Sequence, residues 1–166
     1  MIVDTFDSPL GRMLLCSDGT HLTAVAFAGQ KYEDQHIPKD TDCGCCSVLE
    51  ETKGWLTEYF LGNIPENNPP MNPAGTPFQK RVWKRLQEIP YGETVTYGQI
   101  AKDLGCKSAQ AVGGAVGRNP ISILIPCHRV MGADGNLTGY AGGTEKKEFL
   151  LKLENGLPRR PLASSQ

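Results

Sequence analysis

One short stretch limits what this chain can fold into. Residues 63–75, NIPENNPPMNPAG, hold four prolines and four asparagines. Proline lacks the amide donor that helices and central strands require, and asparagine favours turns, so neither element can run through here. The stretch reads as a linker, which predicts an N-terminal unit at 1–72 and a second unit at 75–166.

Charge divides at the same place. Residues 1–74 carry four Lys/Arg against eleven Asp/Glu, a net of −7, whereas residues 75–130 carry eight against three, a net of +5. A basic unit suits a polyanion, although one solvated helix face would give the same count. No apolar run reaches the ~18 residues of a membrane span. The start, MIVDTFDSPLG, carries Asp4 and Asp7 and has none of the basic and apolar regions of a secretory leader. A cytoplasmic, reducing location is the expectation, and there cysteines serve as thiols or ligands more often than as disulfides.

Local patterning predicts an α+β chain. RMLLCS and HLTAVAF flank an Asp-Gly turn, which signals a hairpin. In SVLEETKGWLTEYFLG, Ser47 and Glu50 have capping-box spacing. Val48, Leu49, Trp55, Leu56, Tyr59 and Phe60 share a face, and Gly62 marks the stop. The first unit is therefore expected to be a small antiparallel sheet covered by a helix. The second is mostly helical: Thr76-Pro77 opens a helix with Phe78, Val82, Leu86 and Ile89 on its apolar stripe. TYGQIAKDLG and AQAVGGAVGRNP then read as a helix-turn-helix, with Ala109, Val112 and Val116 on one face of its second helix. ISILIP reads as a short buried strand, and KKEFLLKLE as a closing helix. Gly113, Gly114 and Gly117 are poor helix formers, so their presence suggests close approach by another backbone.

Cys127 follows that apolar run, with His128 and Arg129 beside it. A thiol attacks as its thiolate, which a neighbouring imidazole or cation favours; a buried cysteine serving only as a small hydrophobe is the plain alternative. Cys43, Cys45 and Cys46, with Cys16, His21 or His36, offer ligand types for zinc, but their spacing matches no strong zinc pattern. Neither a metal nor a cofactor is expected.

Three stretches together resemble the O6-alkylguanine-DNA alkyltransferases: GTPFQKRVWKRLQEIPYGETVTYGQIA, AVGGAVGRNPISILIPCHRV and GNLTGYAGGTEKKEFLLKLE. The resemblance runs from Gly75 to about Gly156, and DSPLGRMLL matches more loosely. It implies a ribonuclease-H-like first unit and a suicide repair reaction on a guanine rotated out of duplex DNA. By that resemblance Cys127 takes the alkyl group, His128 acts through a water as its base, and Glu154 orients the imidazole. Tyr97 protonates the departing purine, and Asn119 braces the active-site segment. Val130, Thr138 and Gly139 belong to the base-recognition region, together with the Cys127 carbonyl.

The resemblance also implies minor-groove binding by the second helix of the pair. Ala109, Gln110, Ala111, Gly113, Gly114, Arg118 and Arg129 are the DNA-contact candidates, with Lys80, Arg81, Lys84 and Arg85 as further phosphate contacts. The expected partner is double-stranded DNA containing O6-alkylguanine, with O4-alkylthymine as a second lesion, bound by a monomer whose cooperativity is left open. Gln110 departs from the family, which usually places an arginine seventeen residues before the cysteine to fill the gap left by the flipped base. Leu137 replaces a tyrosine found in some members. Two rivals weaken on the residues. Binding-only relatives replace the cysteine, and a glycine-rich helix lacks the long side chains that a major-groove regulator needs.

Overall fold

The computed structural model describes residues 1–135 and 140–155. Its first strand, β1 (Ile2–Ser8), is one that the patterning did not single out. It pairs antiparallel with β2 (Gly11–Ser17), which pairs with β3 (Leu22–Phe27) across the expected Asp-Gly turn. Asp18 Oδ1 fixes that turn by accepting from the amides of Thr20 at 2.9 Å and His21 at 2.7 Å. A short helix α1 (Glu33–His36) follows, then a two-residue strand β4 (Asp42–Cys43) that joins β1 in parallel. The sheet order is β3-β2-β1-β4, antiparallel apart from that last pair.

Helix α2 (Ser47–Phe60) packs on this sheet and buries Val48, Leu49, Thr52, Leu56 and Tyr59. The expected Ser47–Glu50 capping box does not form. The N-cap is Cys46, which makes no side-chain cap bond, and Glu50 instead accepts from Cys45 Sγ. The stop is as expected, with Gly62 at φ 92°.

Residues 63–75 adopt no helix, as the prolines dictate, but they are more than a tether. Leu22 N donates to Pro70 O at 2.7 Å, and Asn72 N donates to Leu22 O at 2.8 Å. Farther along β3, Val25 N donates to Pro120 O and Ser122 N donates to Val25 O, both at 2.9 Å. The second half therefore completes an edge of the first half's sheet. A single apolar cluster runs through both, from Leu15, Phe27 and Leu56 to Leu86, Val112, Ile121 and Leu150.

Helix α3 (Pro77–Leu86) starts at a capping box in which Thr76 and Gln79 exchange bonds of 3.0 and 3.1 Å. Trp83, buried beside the expected stripe, donates its indole N–H to Ala115 O at 2.8 Å. A Cβ on Gly75 would lie 2.4 Å from that indole, so only glycine lets the chain pass beneath it. The short strand β5 (Val95–Thr96) leads into α4 (Tyr97–Asp103), capped by a second box between Thr96 and Gln99. Helix α5 (Ala109–Gly117) is capped by Ser108, and α4 and α5 form the helix pair. Ala109 is exposed, and the buried face of α5 carries Val112, Ala115 and Val116. Strand β6 (Val130–Met131) pairs in parallel with β5, and α6 (Thr144–Glu154) closes the described fold. No helix among the described residues is long and apolar enough to cross a membrane.

Candidate active site

The segment before Cys127 is buried as expected, but it is not a strand. Only Ile121 bridges β3; the remainder is a folded turn in which Ile123 sits at φ 71°. A left-handed β-branched residue costs about 1–3 kcal/mol and persists only where its surroundings over-determine it. Asn119 supplies much of that constraint. Its Oδ1 accepts from Ile121 N at 3.0 Å, and its Nδ2 donates to Ile121 O at 3.1 Å and Ile125 O at 2.8 Å.

After Pro126 comes one 3-10 turn, Cys127–Arg129. Three residues per turn send consecutive side chains in three directions. Cys127 is buried, and a negative charge on its sulfur would raise the phenols of Tyr97 and Tyr140. His128 is fully buried, with Nε2 at 2.5 Å from Glu154 Oε2. Arg129 points the third way. Its Nε donates to Glu154 Oε1 at 2.7 Å, another guanidinium nitrogen donates to Ile89 O at 2.8 Å, and the group lies over the Tyr91 ring. Arg129 is thus buried structural support for Glu154, which corrects its assignment to the DNA face and its expected role beside the thiol.

Glu154, on the last turn of α6, is buried and accepts two further bonds, from Gly92 N at 3.3 Å and from the Tyr59 hydroxyl at 2.5 Å. The Tyr59 contact had no local signal in the sequence. Burial alone would raise the carboxyl of Glu154, but the bonds and charges of His128 and Arg129 override it and hold the group near a pKa of about 2. Burial lowers His128 in spite of Glu154, so the imidazole is neutral. With the carboxylate on Nε2, the ring proton belongs there and Nδ1 carries the lone pair; Nδ1 has no protein partner among the described residues. Burial pushes the Cys127 thiol up, against the opposing pull of Asn119 and Lys147. The resting site is therefore thiol, neutral imidazole and carboxylate, not the standing thiolate that adjacency to Arg129 suggested.

On the outer side, Tyr97 is half-buried and its phenol is shifted up by burial and by Cys127, so it keeps its proton. It borders a shallow cleft of about 690 Å³ together with Gln110, Gly113, Gly114 and Ala133. Gln110, Ala111, Gly114 and Arg118 are exposed along α5. Arg118 lies 4.9 Å over the Tyr32 ring. Among the α3 cations, Arg81 is tied to Leu104 O and Arg85 to Asp103, whereas Lys80 and Lys84 are exposed. Val130 accepts from Lys147 through its carbonyl, and Cys127 accepts from Val130 N. Thr138, Gly139 and Leu137 lie outside the described residues.

Gly113 and Gly114 are not demanded by internal packing. A Cβ on Gly114 would come no closer than 3.8 Å to any atom, an ordinary contact. Gly114→Ala is expected to raise stability by up to about 1 kcal/mol, read in urea melts, while weakening duplex DNA binding. Unchanged DNA affinity would remove the close-approach explanation. The cysteine-rich segment does not gather its thiols: among the described residues the only candidate metal cluster is Asp4, Cys45 and Glu50. Lys53 already contacts both carboxylates there, and the bond to Glu50 pushes the Cys45 thiol up to about 11.

Similarity to known proteins follows the same division. Residues 1–71 match the ribonuclease-like domain of 6-O-methylguanine DNA methyltransferase, and residues 77–156 match its DNA binding domain. A methylated-DNA--protein-cysteine methyltransferase of Methanosarcina acetivorans is 49% identical over 90% of this chain and 95% of its own. One of the same name from Haemophilus influenzae is 44% identical over 90% and 83%. The crystal structure of Mycobacterium tuberculosis OGT in complex with DNA superposes with a TM-score of 0.86, at 41% identity over 94% of each chain. A buried Cys-His-Glu arrangement behind a helix-turn-helix, on a chain matched along nearly its whole length, places this protein in the 6-O-methylguanine DNA methyltransferase family.

Proposed function

We propose that this protein repairs DNA by transferring the alkyl group of O6-alkylguanine, and of O4-alkylthymine, irreversibly to Cys127. The observation that carries the reading is the 3-10 turn that sets Cys127 next to a buried His128 whose Nε2 is held by Glu154. Helix α5 enters the minor groove by its small-residue face, and the damaged base rotates into the region between Tyr97 and Cys127. The Sγ proton passes through a water to His128 Nδ1. Sγ then bonds to the alkyl carbon as the carbon–O6 bond breaks, and the guanine anion takes a proton from the Tyr97 hydroxyl. The thiol is both nucleophile and acceptor, so each molecule turns over once. Most DNA contacts are to phosphates and independent of sequence, which suits a cytoplasmic monomer that must search any duplex.

The test is to incubate the protein with duplex DNA containing O6-methylguanine and weigh its tryptic peptides. One methyl on the Cys127 peptide is expected. An unmodified Cys127 with the damaged DNA still tightly held would replace this reading with the binding-only one. Gln110, exposed at the cleft, fills the vacated stack without charge. Gln110→Arg adds a cation at the DNA face and is expected to tighten duplex binding and steepen its salt dependence. Equal affinity and equal repair rate would remove Gln110 from base extrusion.

A further inference from the structure

The carboxylate of Glu154 has donors from both halves of the chain. Its Oε1 takes Arg129 and Gly92, and its Oε2 takes His128 and Tyr59, the last two at 2.5 Å. Tyr59 belongs to α2 in the first half, 95 residues from Glu154. Its ring has no exposed surface; it stacks on Trp55 at 5.4 Å and meets Tyr91 edge-on at 6.2 Å. Its oxygen also lies 3.5 Å from His128 Nε2. Burial, and then the Glu154 charge, keep the phenol protonated, so it is a donor and never a second anion.

We propose that Tyr59 is a positioning residue of the transfer reaction, holding Glu154 and sharing its charge so that His128 stays free to take the proton from Cys127. This rests on the reading of His128 and Glu154 as a relay. When Nδ1 receives the Sγ proton, Nε2 keeps its own and the imidazolium faces the carboxylate. A second donor on the same oxygen draws off part of the carboxylate charge, which keeps it anionic instead of protonated. The same withdrawal limits how strongly Glu154 attracts a proton to His128 in the resting state. The other groups weighing on His128 are Arg129 and Lys147, which oppose its protonation; Tyr140 packs against its ring. Without the Tyr59 hydroxyl the carboxylate charge acts on His128 undivided. The imidazole then holds a proton to higher pH and cannot accept one from Cys127. The first half of the chain thus contributes directly to the reaction centre.

The experiment is single-turnover transfer from O6-methylguanine duplex DNA by the full chain, with excess protein, across pH about 5 to 9. Tyr59→Phe keeps the ring and its stacking. Its acid limb is expected to move up by about one pH unit, roughly tenfold slower at the acid end, with DNA affinity near that of the unaltered protein. A superimposable profile, with or without lower thermal stability, overturns the proposal. If Tyr59→Phe fails to fold, fluorotyrosine placed at position 59 alone preserves the shape and strengthens the donor. The acid limb should then move down, and an unmoved limb overturns the proposal equally. Glu154→Gln separates the two layers: unchanged transfer would overturn the relay itself, whereas slow Glu154→Gln beside unaltered Tyr59→Phe overturns only the role of Tyr59.

Discussion

Cys127→Ser is expected to hold O6-methylguanine DNA as tightly as the unaltered protein and to transfer nothing measurable from it. The loss should be roughly 10³-fold or more, on the scale found when a nucleophile is removed from an otherwise intact constellation. The substitution exchanges sulfur for oxygen at a site 5% exposed, where Asn119 can serve either atom, so the turn and DNA face persist. A hydroxyl is a far weaker nucleophile than a thiol with the same relay behind it. Exposure does not select Cys127: Cys43 and Cys45 are open to solvent, whereas Cys127 is buried and its thiol is raised by that burial. The connection to His128 and Glu154 selects it. Gel-shift affinity and peptide mass measured on one preparation check both halves of the expectation. Methyl transfer to another cysteine in Cys127→Ser would show that accessibility, not the relay, decides.

What could be read in the sequence was whatever local chemistry determines. The Thr76 helix start, the Asp-Gly hairpin and the helix-turn-helix each depend on residues a few positions apart, and each formed. ISILIP misled because apolar and β-branched residues signal burial as much as extension. Its true conformation depends on three bonds from Asn119, which the pattern does not display. Strand β1 stayed hidden because Asp4, Thr5 and Asp7 interrupt its apolar residues at a sheet face that is only partly covered.

The site divides along the same line. Cys127 and His128 were legible because they are adjacent, but adjacency misassigned Arg129, since a 3-10 turn separates neighbours by about 120°. Arg129 became the partner of Glu154, with Ile89 O and the Tyr91 ring completing its surroundings. Glu154 alone looks like a solvated helix end, and only the family resemblance pointed to it. Tyr59 lay beyond either kind of signal: the helix pattern marks it as core, and nothing short of the fold brings it to Glu154.

Glu154→Gln carries the largest expected stability cost. The neutral amide carries no charge to compensate the buried Arg129 guanidinium, whose other partners are Ile89 O and the Tyr91 ring. It also turns a donor toward a position that now accepts from Tyr59 and His128 or from Arg129 and Gly92. Breaking a buried pair from one side costs about 3–5 kcal/mol, or roughly 6–20 °C in melting temperature for a chain of this size. The pH dependence identifies the cause. Glu154 is depressed from 4.5 to about 2, so its contribution is fully present above pH 4.5 and is lost as pH falls through about 2. His128, also depressed, adds to the acid sensitivity of the unaltered protein, because the unfolded chain takes up its proton first. The stability gap between the two proteins should therefore be widest at neutral pH and narrow steadily as pH falls from 4.5 toward 2, followed by urea midpoints. A gap that stayed constant over that range would mean that glutamine merely packs badly, and that the carboxylate charge does not hold Arg129 and His128 in place. Transfer at neutral pH should fall by roughly 10²–10⁴-fold in the same variant, the range for a lost acid–base contribution, because His128 loses both its orientation and the anion that stabilises its protonated form.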